Sequence, residues 1–166
     1  MLEVRGLTVS YGERTILDGV ELCVAAGEVV TIIGGSGSGK STLLKCIIGL
    51  LSPRSGTIRL FGEESTGLAP QERAPLLRQV GVLFQHGALL NSMTVGENVA
   101  LPLQMHTALP REQIEAMVHT RLALVGLGHA QDLLPEELSG GMRKRAALAR
   151  ALALEPRILF RDEPGA

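Results

Sequence analysis

Apolar and polar residues alternate along the N-terminal part of the chain. Three runs show this period of two, and the turn-rich stretches YGERT and AAGE separate or follow them. The apolar positions are Leu2 and Val4, Leu7 and Val9, and Val20, Leu22 and Val24. Alternation with this period predicts short strands that bury one face. We therefore expect a β-rich opening to the fold.

Residues 29–33 (VVTII) are a continuous β-branched run, which predicts a strand buried on both faces. A glycine-rich loop follows, and apolar residues then recur at helical spacing at Leu43, Leu44, Ile47 and Ile48. A strand, a loop and a helix in this order are typical of an α/β protein. Further strands are predicted at 57–61 (TIRLF) and 80–84 (VGVLF).

The pattern becomes helical after Gly87. One apolar helical face begins near Pro110 and ends at Gly126, with Ile114, Met117, Val118, Leu122 and Val125 as its members. No further strand is predicted until Ile158. The middle of the chain is thus predicted to be a helical insertion within an α/β core.

Composition and charge are those of an ordinary globular protein. The 166 residues fit one domain, and 45% hydrophobic with 20% charged residues supplies enough apolar material for a core. The 16 basic residues nearly balance the 17 acidic ones, which excludes an overall electrostatic footprint for nucleic acid or an anionic membrane. Any anion must therefore bind locally.

The sequence carries no sign of export. Cys23 and Cys46 stand in apolar contexts without a CxxC pair, which predicts reduced residues of the core. No apolar run reaches the ~18 residues that a membrane span requires, and the N-terminus lacks the regions of a signal peptide. We expect a soluble, cytosolic chain that is still able to dock on a membrane protein.

The segment GGSGSGKS, residues 34–41, matches G-x-x-x-x-G-K-[ST] between a predicted strand and a predicted helix. Glycines let the backbone wrap a phosphate, and the N–H groups of the loop and of the helix start face its charge. Lys40 would neutralise the β- and γ-phosphates, and the Ser41 hydroxyl would ligate Mg²⁺. A flexible glycine-rich turn is the alternative, but the flanking elements favour a phosphate-binding loop. The predicted nucleotide-binding residues are Gly34, Gly35, Ser36, Gly37, Ser38, Gly39, Lys40, Ser41 and Thr42.

A second glycine motif, LSGGM at 138–142, opens the alanine-rich segment MRKRAALARALALEP. This segment predicts a helix that packs closely through small residues, with Ser139 as its N-cap. A serine and two glycines at a helix start also offer N–H groups and the positive end of the dipole to an anion. Taken alone, the motif fits either a helix cap or an anion site.

Together, GGSGSGKST and LSGGM resemble the phosphate loop and the signature sequence of ATP-binding-cassette (ABC) ATPases. The same family has an apolar strand leading into two carboxylates, here Asp162 and Glu163, at the usual spacing from the signature serine. The resemblance implies an α/β fold: a P-loop NTPase core with an N-terminal antiparallel β subdomain and a helical subdomain, with the C-terminal part of the core missing. It implies one incomplete domain over 1–166, divided into a β-rich and P-loop core (1–86), a helical subdomain (87–137) and a signature helix with an acidic strand (138–166).

The resemblance also implies roles for single residues. Asp162 would hold Mg²⁺ through water, and Glu163 would be the general base that activates the attacking water. Gln85 would contact the metal and the water and sense the transport partner, with Ser41 as a further metal ligand. Tyr11 would stack on the adenine of ATP, although a lone aromatic at a β edge is also common as simple packing.

The signature residues imply a second protomer. Ser139, Gly140, Gly141 and Met142 would meet the γ-phosphate end of ATP bound to another ATP-binding subunit. The implied active unit is a head-to-tail dimer that encloses two nucleotides, and both protomers contribute to each site.

The stretch LFQHGALLNSMTVGENVALPLQMHTALP and the methionine that ends LSGGM resemble the ATPase subunits of Mla- and Mce-type lipid transporters. This branch implies a membrane permease as partner, phospholipid or a related lipid as cargo, and a peripheral location on the cytoplasmic face of the inner membrane. Residues 85–90 and 101–127 are expected to dock on the permease. Nothing in composition or periodicity points to lipid.

Two features depart from the family pattern. Arg161 stands where relatives have an apolar residue, so its guanidinium must reach solvent, meet an acid, or mark a damaged strand. Relatives also continue past the acidic motif to a histidine that contacts the γ-phosphate, whereas the four histidines of this chain all precede Asp162. We expect the chain to represent only the first part of such an ATPase. A non-catalytic nucleotide-binding module and a soluble ABC-type ATPase outside transport are the alternatives.

Two further groups of charged residues could form a nucleic-acid patch or a metal site. Arg143, Lys144 and Arg145 form a basic run, but on a helix such a run favours a solvated face over a nucleic-acid patch. Glu115 and His119 lie four residues apart, which favours an exposed contact over a metal pair because no second pair of ligands accompanies them. No nucleic-acid partner is predicted.

Overall fold

The computed structural model describes residues 1–85 and 87–162 of the chain. They fall into two compact units, Met1–Leu77 and Arg78–Ala166. Within the described residues, no helix combines the length and apolar character needed to cross a membrane. In chain order the elements are β1 (Leu2–Tyr11), β2 (Arg14–Val24), α1 (Lys40–Ile47), β3 (Ser55–Leu60), β4 (Glu63–Glu64), α2 (Pro70–Leu77), β5 (Val80–Leu83), α3 (Val95–His106), α4 (Arg111–Leu124), α5 (Gly140–Ala151) and β6 (Ile158–Arg161).

The first unit is built on a four-stranded antiparallel sheet in the order β2-β1-β3-β4. Strands β1 and β2 form a hairpin in which Tyr11 pairs with Arg14 across a two-residue turn. Apolar residues of β1 and β3 are almost fully buried, namely Leu2, Val4, Leu7, Val9, Ile58 and Leu60. The β-rich opening is confirmed, although two long strands replace the short ones that the alternation predicts.

A bulge at Gly6 keeps β1 continuous. The buried positions are Leu2 and Val4 before it and Leu7 and Val9 after it, and the pairing with β2 shifts between Val4 and Leu7. Gly6 has φ 57°, a left-handed value that glycine adopts without steric cost. Because of the extra residue, all four apolar side chains stay on the buried face of one strand.

Residues 29–33 do not form the buried strand that their β-branched run predicts. Val29 and Ile33 are 93% and 91% exposed, and no pairing joins this segment to any other residue in the described part of the chain. A β-branched run favours an extended backbone, but a strand also needs a hydrogen-bonded neighbour and a face to bury. The prediction of a strand at this position is wrong for this structure.

Helix α2 is an element that the hydrophobic pattern does not predict. Its sequence signals are Pro70 in the first turn and Glu72, whose carboxylate accepts the N–H of Ala69 at 2.9 Å. The guanidinium of Arg73 donates to three carbonyl oxygens, those of Gly49, Ser65 and Leu68, each at 3.1 Å. One side chain thereby ties the end of α1 and the stretch after β4 to α2.

The second unit packs α3, α4 and α5 around an apolar core and also contains the parallel pair β5 and β6. Helix α4 follows Pro110 and ends before Gly126, as its apolar period predicts. The core residues include Val95, Val99, Leu103, Ile114, Val118, Leu122, Leu127, Ala146 and Ala149. The helical insertion and the alanine-rich helix are therefore both confirmed.

Side-chain caps fix the starts of α3 and α5. The Thr94 hydroxyl accepts the N–H of Glu97 at 3.2 Å, and the Glu97 carboxylate accepts the N–H of Thr94 at 2.7 Å. Ser139 Oγ accepts the N–H of Met142 at 3.2 Å, so the predicted N-cap is confirmed. Each such cap typically contributes ~1 kcal/mol.

The two cysteines lie in different environments. Cys46 is buried on α1, and burial raises the pKa of its thiol, which keeps it protonated and unreactive. Cys23 is exposed on β2, an outer strand of the sheet, so the prediction of a core residue is right for Cys46 and wrong for Cys23. Both cysteines are free thiols.

We predict that Gly56→Ala destabilises the first unit far more than Gly62→Ala. Both glycines have left-handed backbones, with φ 93° and 92°, so alanine costs about 1–2 kcal/mol of backbone strain at either position. A Cβ on Gly56 would also lie 2.5 Å from the carbonyl oxygen of Gly6 and 2.6 Å from that of Arg5. These oxygens belong to β1 and cannot move aside, so a further loss of about 1–3 kcal/mol is expected.

Urea unfolding followed by circular dichroism measures both variants. Gly62→Ala is the matched control, because a Cβ there meets nothing within 4 Å. Equal losses in the two variants would contradict the steric explanation and leave backbone strain alone.

Candidate nucleotide-binding site

The glycine-rich loop at 34–39 leads directly into α1 at Lys40. Gly37 and Gly39 have φ 78° and 93°, values that favour glycine. A Cβ on Gly34 would lie 2.6 Å from Ser38 Oγ, and a Cβ on Gly39 would lie 2.6 Å from a methyl carbon of Leu17. The loop thus closes tightly on itself and against β2, with no room for larger residues at these two points.

Lys40 folds back over this loop. Its Nζ donates to the carbonyl oxygens of Gly34 at 2.7 Å and Gly35 at 2.9 Å, and lies 3.4 Å from Ser38 Oγ. The ammonium group therefore lies beside the start of α1, where the first N–H groups of a helix lack intrahelical acceptors. Residues 34–38 are exposed, so an anion can reach this point from solvent. This arrangement of donors fits the phosphates of a nucleotide.

The first turn of α1 adds polar side chains without adding negative charge. Ser41 and Thr42 lie there and are half-buried, and the turn contains no acidic residue. Ser36 is exposed in the preceding turn. Because no carboxylate of the first turn competes for the helix N-terminus, its partial positive charge remains available to an anion.

Tyr11 lies at the hairpin end of β1 and is 52% exposed. Tyr11 pairs with Arg14 at the start of β2. Two and three residues further along β2, the side chains of Ile16 and Leu17 lie against Gly39 of the phosphate loop. At ~3.3 Å per residue, two or three residues of strand separate the Tyr11 pair from the phosphate-loop contact. An exposed ring at this distance favours a ligand-stacking role over simple packing in the core.

Gln85 and Asp162 lie at the same edge of the parallel pair. Leu83 of β5 pairs with Arg161 of β6, and the N–H of Asp162 donates to the carbonyl oxygen of Leu83 at 2.9 Å. Parallel strands end on the same side, so the residues that follow them are brought together. Gln85 is exposed and Asp162 is half-buried. Glu163, the predicted general base, lies outside the described residues.

Arg161, the departure from the family pattern, is exposed to solvent on β6. The residues of this strand alternate between half-buried and exposed, and Arg161 falls on the exposed side together with Leu159. Of the three expectations for this residue, the structure selects solvent. Its guanidinium therefore carries no burial penalty at this position.

The start of α5 is open to solvent. Gly140 and Gly141 are exposed, and a Cβ on either would meet no atom within 4 Å. Ser139 Oγ faces the first turn as its cap, while Met142 is half-buried against the apolar core. A ligand approaching from outside could therefore reach the N–H groups of this helix end.

The predicted metal ligands are divided between the two units. Ser41 belongs to the first unit, and Gln85 and Asp162 belong to the second. A hydroxyl, an amide and a carboxylate are oxygen ligands of the kind that Mg²⁺ prefers beside nucleotide phosphates. Over residues 1–85 and 87–162, no group of three or more His, Cys, Asp and Glu is placed to hold a metal ion. These metal roles remain predictions.

The predicted solvated face is observed for the basic run of α5, whereas Glu115 has a different partner from the predicted one. Arg143, Lys144 and Arg145 are all exposed on α5, and Arg145 donates to the carbonyl oxygen of Val125 at 2.8 Å. Glu115 contacts Arg111 at 2.6 Å, one helical turn before it, and not His119 as predicted; this exposed ion pair raises the pKa of Arg111.

Two residues of the second unit were not among the predicted site residues, although they hold the loop that follows Gln85. Asn98 is fully buried in α3, and Arg150 of α5 is half-buried. The available signal for Asn98 is a polar residue within the apolar stripe of Val95 and Val99. A buried amide of this kind nearly always has hydrogen-bond partners.

A glycine loop with a lysine at the start of a helix, and a parallel strand pair that ends in a carboxylate, define a nucleotide-binding P-loop protein. The comparison with protein families agrees with this class. Residues 17–166 match the ABC transporter family, and the chain belongs to that family.

Named relatives match nearly the whole chain. A probable ribonucleotide transport ATP-binding protein, mkl, of Mycobacterium tuberculosis is 47% identical over 98% of this chain and 45% of its own length. The intermembrane phospholipid transport system ATP-binding protein MlaF of Haemophilus influenzae is 44% identical over 99% of this chain and 62% of its own length. The chain thus spans between 45% and 62% of the length of these curated relatives.

Solved structures share the fold. A bacterial ABC transporter cassette in dimeric form has a TM-score of 0.92 at 34% identity, covering 99% of this chain and 74% of that one. A dimeric cassette in a post-hydrolysis state bound to ADP and phosphate has a TM-score of 0.91 at 34% identity, with the same coverage. The cassette cbiO1 of Clostridium perfringens has a TM-score of 0.86 at 32% identity, covering 98% of this chain and 65% of that one. The α/β cassette fold is therefore confirmed.

We predict that Tyr11→Ala weakens ATP binding while leaving the stability of the first unit nearly unchanged. The ring is half-exposed, so its removal costs the core little, but a lost stacking contact would weaken adenine binding by roughly 0.5–1.5 kcal/mol. Tyr11→Phe keeps the ring and serves as the control. Fluorescent-nucleotide titration and thermal unfolding measure the two effects, and a large drop in stability at unchanged affinity would instead support packing.

Proposed function

We propose that this chain is the ATP-binding part of an ABC transporter ATPase, which couples ATP binding and hydrolysis to the transport of lipid across or between membranes. The observation that carries the proposal is the Lys40 ammonium, held by the carbonyl oxygens of Gly34 and Gly35 beside a helix start without acidic residues. Membership of the ABC transporter family supports ATP as the nucleotide.

Residues of the phosphate loop would bind and orient ATP. Lys40 would exchange its contacts with the loop carbonyls for the β- and γ-phosphates, and residues 34–42 would surround them with main-chain N–H groups. Ser41 and Asp162 would hold Mg²⁺, which supplies charge neutralisation at the phosphates. Tyr11 would orient the base by stacking.

Residues at the strand pair would act on the attacking water. Gln85 and Asp162 follow neighbouring parallel strands, so a water near one lies near the other. Glu163, next to Asp162 in sequence, would accept the proton of that water as the general base. The exposed end of α5 at Ser139, Gly140 and Gly141 would complete the nucleotide site of a second ATP-binding subunit, and the dimeric cassettes among the similar structures support this pairing.

The names of the relatives support two cargo classes. The phospholipid system of MlaF, at 42–44% identity, supports lipid, and we favour lipid because the stretch from 83 to 110 has the features of that branch. The ribonucleotide system named for mkl, at 47% identity, supports a second candidate. The ATP-binding part would act on either through a permease, which would also hold it at the cytoplasmic face of the inner membrane.

A groove between α3 and α4 is the proposed docking site for the permease. It has a volume of about 710 Å³ and a partly apolar lining that includes the buried residues Ala100, Ile114 and Val118. Exposed carboxylates line it at Glu97, which caps α3, at Glu115, which is paired with Arg111 of the same lining, and at Asp132. A partly apolar groove with a polar rim suits an amphipathic segment of a partner protein.

We predict that Lys40→Ala weakens the binding of Mg²⁺-ATP by about 10- to 150-fold, because charge-assisted contacts with phosphate contribute roughly 1.5–3 kcal/mol. Lys45→Ala is the matched control, since Lys45 is an exposed lysine in the last turn of the same helix. Isothermal titration calorimetry measures both affinities. Equal affinities for the wild type and Lys40→Ala would contradict ATP binding at this loop.

Phosphate release separates the proposed ATPase from its alternatives. A subunit of a transporter hydrolyses ATP faster when its permease is co-expressed, whereas a non-catalytic nucleotide-binding module releases no phosphate in either case. A soluble ABC-type ATPase outside transport releases phosphate at one rate with or without a permease.

We predict that a cysteine at Gln104 crosslinks to a co-purified permease, while a cysteine at Glu63 does not. Gln104 lines the groove, and Glu63 lies on β4 in the other unit; both are exposed. Cys23 is itself exposed, so the experiment requires a Cys23→Ser background. Crosslinking from Glu63 alone would place the permease on the β-rich unit and contradict the proposed docking site.

A further inference from the structure

The segment that follows Gln85 is held by two polar side chains that belong to no phosphate-binding motif. We call residues 87–94 the 87–94 loop; it lies between β5 and α3. Asn98 of α3 and Arg150 of α5 both bond to its main chain. All of these residues lie within the second unit.

Asn98 binds the C-terminal part of the loop through its buried side chain. Its side chain is fully buried, and its Oδ1 accepts the N–H of Leu90 at 2.8 Å. Its Nδ2 donates to the carbonyl oxygens of Leu90 at 3.0 Å, Met93 at 3.1 Å and Thr94 at 3.0 Å. Donor and acceptor groups of the amide are thus all used on the main chain.

Arg150 holds the near end of the loop. Its Nη1 donates to the carbonyl oxygen of Ala88 at 2.8 Å, and its Nη2 donates to that of Gly87 at 3.0 Å. Nη1 also lies 3.5 Å from Asn98 Oδ1, so the side chains of Arg150 and Asn98 belong to one hydrogen-bond network. Desolvation lowers the pKa of Arg150, but a guanidinium stays charged near neutral pH, so these contacts are charge-assisted.

The conformation that Arg150 holds is an unusual one. Gly87 and Ala88 have φ 73° and 50°, two left-handed residues in succession, and Ala88 is not a glycine. Backbone strain of this kind persists only where the surroundings determine it. A Cβ on Gly87 would lie 3.0 Å from the Cβ of Ala147, so the loop lies directly against α5 one turn before Arg150.

This placement connects two parts of the proposed site. Gln85 stands two residues before Gly87, and the opposite end of α5 carries Ser139. A helix of 12 residues spans about 18 Å and behaves as a rigid rod. A loop locked to the C-terminal half of α5 therefore has to follow any movement of that helix.

We propose that Arg150 and Asn98 are positioning residues that lock the 87–94 loop to α3 and α5, so that Gln85 and the Ser139 end of α5 move as one body. An effect of this joint movement on the rate of ATP hydrolysis rests on the proposed function. The hydrogen bonds that hold the 87–94 loop are a property of the fold, and they can be tested without nucleotide.

Amide hydrogen exchange of the 166-residue chain tests the lock. The N–H groups of Gly87, Leu90 and Met93 are all hydrogen-bonded in the loop, so their exchange reports its opening. Arg150→Met should accelerate their exchange about tenfold or more, since it removes the guanidinium donors to the carbonyl oxygens of Gly87 and Ala88 while keeping a side chain of similar length. Arg150→Lys, which can serve one carbonyl but not two, should give a smaller acceleration.

Arg145→Met is the matched control. Arg145 lies on the same helix and also donates to main-chain carbonyls, but to those of Val125 and Gly126. It should leave exchange in the 87–94 loop unchanged. Equal acceleration by Arg145→Met would show general loosening of the unit and overturn the proposal. Should Arg150→Met fail to fold, unchanged loop exchange in Arg150→Lys would overturn it as well.

Hydrolysis kinetics in the assembled transporter test the consequence. Arg150→Met should lower kcat about tenfold or more while the affinity for Mg²⁺-ATP and KM stay near the wild-type values, because the phosphate loop lies in the other unit and misplacement of Gln85 affects the reacting water. A rise in KM with unchanged kcat would contradict a positioning role. Absence of ATP binding by the wild type would defeat the proposed function, whereas the exchange experiment would still decide on the lock.

Discussion

Main-chain carbonyl groups in loops need a donor wherever they are withdrawn from water, and this requirement is met here by cationic side chains on helices. Arg73 serves Gly49, Ser65 and Leu68, Arg145 serves Val125, and Arg150 serves Gly87 and Ala88. A guanidinium suits this task because its five N–H groups point outward in one plane and can reach carbonyls from different segments. In each case a side chain of a helix thereby holds the main chain of a loop.

The phosphate loop also has a cationic side chain that donates to main-chain carbonyl oxygens, but here the cation is expected to bind a ligand. Lys40 donates to the carbonyl oxygens of Gly34 and Gly35, but these residues are exposed, whereas Arg150 is half-buried and its guanidinium is partly desolvated. The Lys40 side chain is itself half-buried, but both of its carbonyl acceptors belong to exposed residues, so a phosphate that reaches the loop can take their place. The Arg150 guanidinium is partly desolvated, which strengthens its contacts with the loop carbonyls, and one of its two acceptor residues, Gly87, is buried. The solvent access of the acceptors, and not the burial of the cation alone, therefore distinguishes a binding group from a structural one.

Sequence alone predicts the features that depend on local pattern. The apolar period places α4 within two residues of its observed limits, the strands at β3, β5 and β6 follow from short apolar runs, and Ser139 is found from N-cap chemistry. The contacts of Arg150 in the lock on the 87–94 loop join residues 52 or more positions apart, and no local period encodes such a contact. Asn98 contacts the loop over four to eight positions, but its partners are main-chain groups, which the apolar period does not predict either. The glycine bulge at Gly6 lies between these cases. The sequence shows that the apolar positions change from even numbers (Leu2, Val4) to odd numbers (Leu7, Val9). Only the pairing with β2 shows that this change is a bulge within one strand.

The segment 29–33 shows why a strong local signal can still fail. Its β-branched side chains restrict the backbone to extended conformations, and that preference alone suffices for a prediction of strand. A strand, however, needs a second segment that pairs with it through main-chain hydrogen bonds. Within the described residues, β5 pairs only with β6, and the strands β1 to β4 pair among themselves. Val29 and Ile33 consequently stand in solvent, although residues of this type gain about 1.5–3 kcal/mol each on full burial. The sequence of this segment thus favours an extended backbone, whereas strand formation depends on a neighbouring segment.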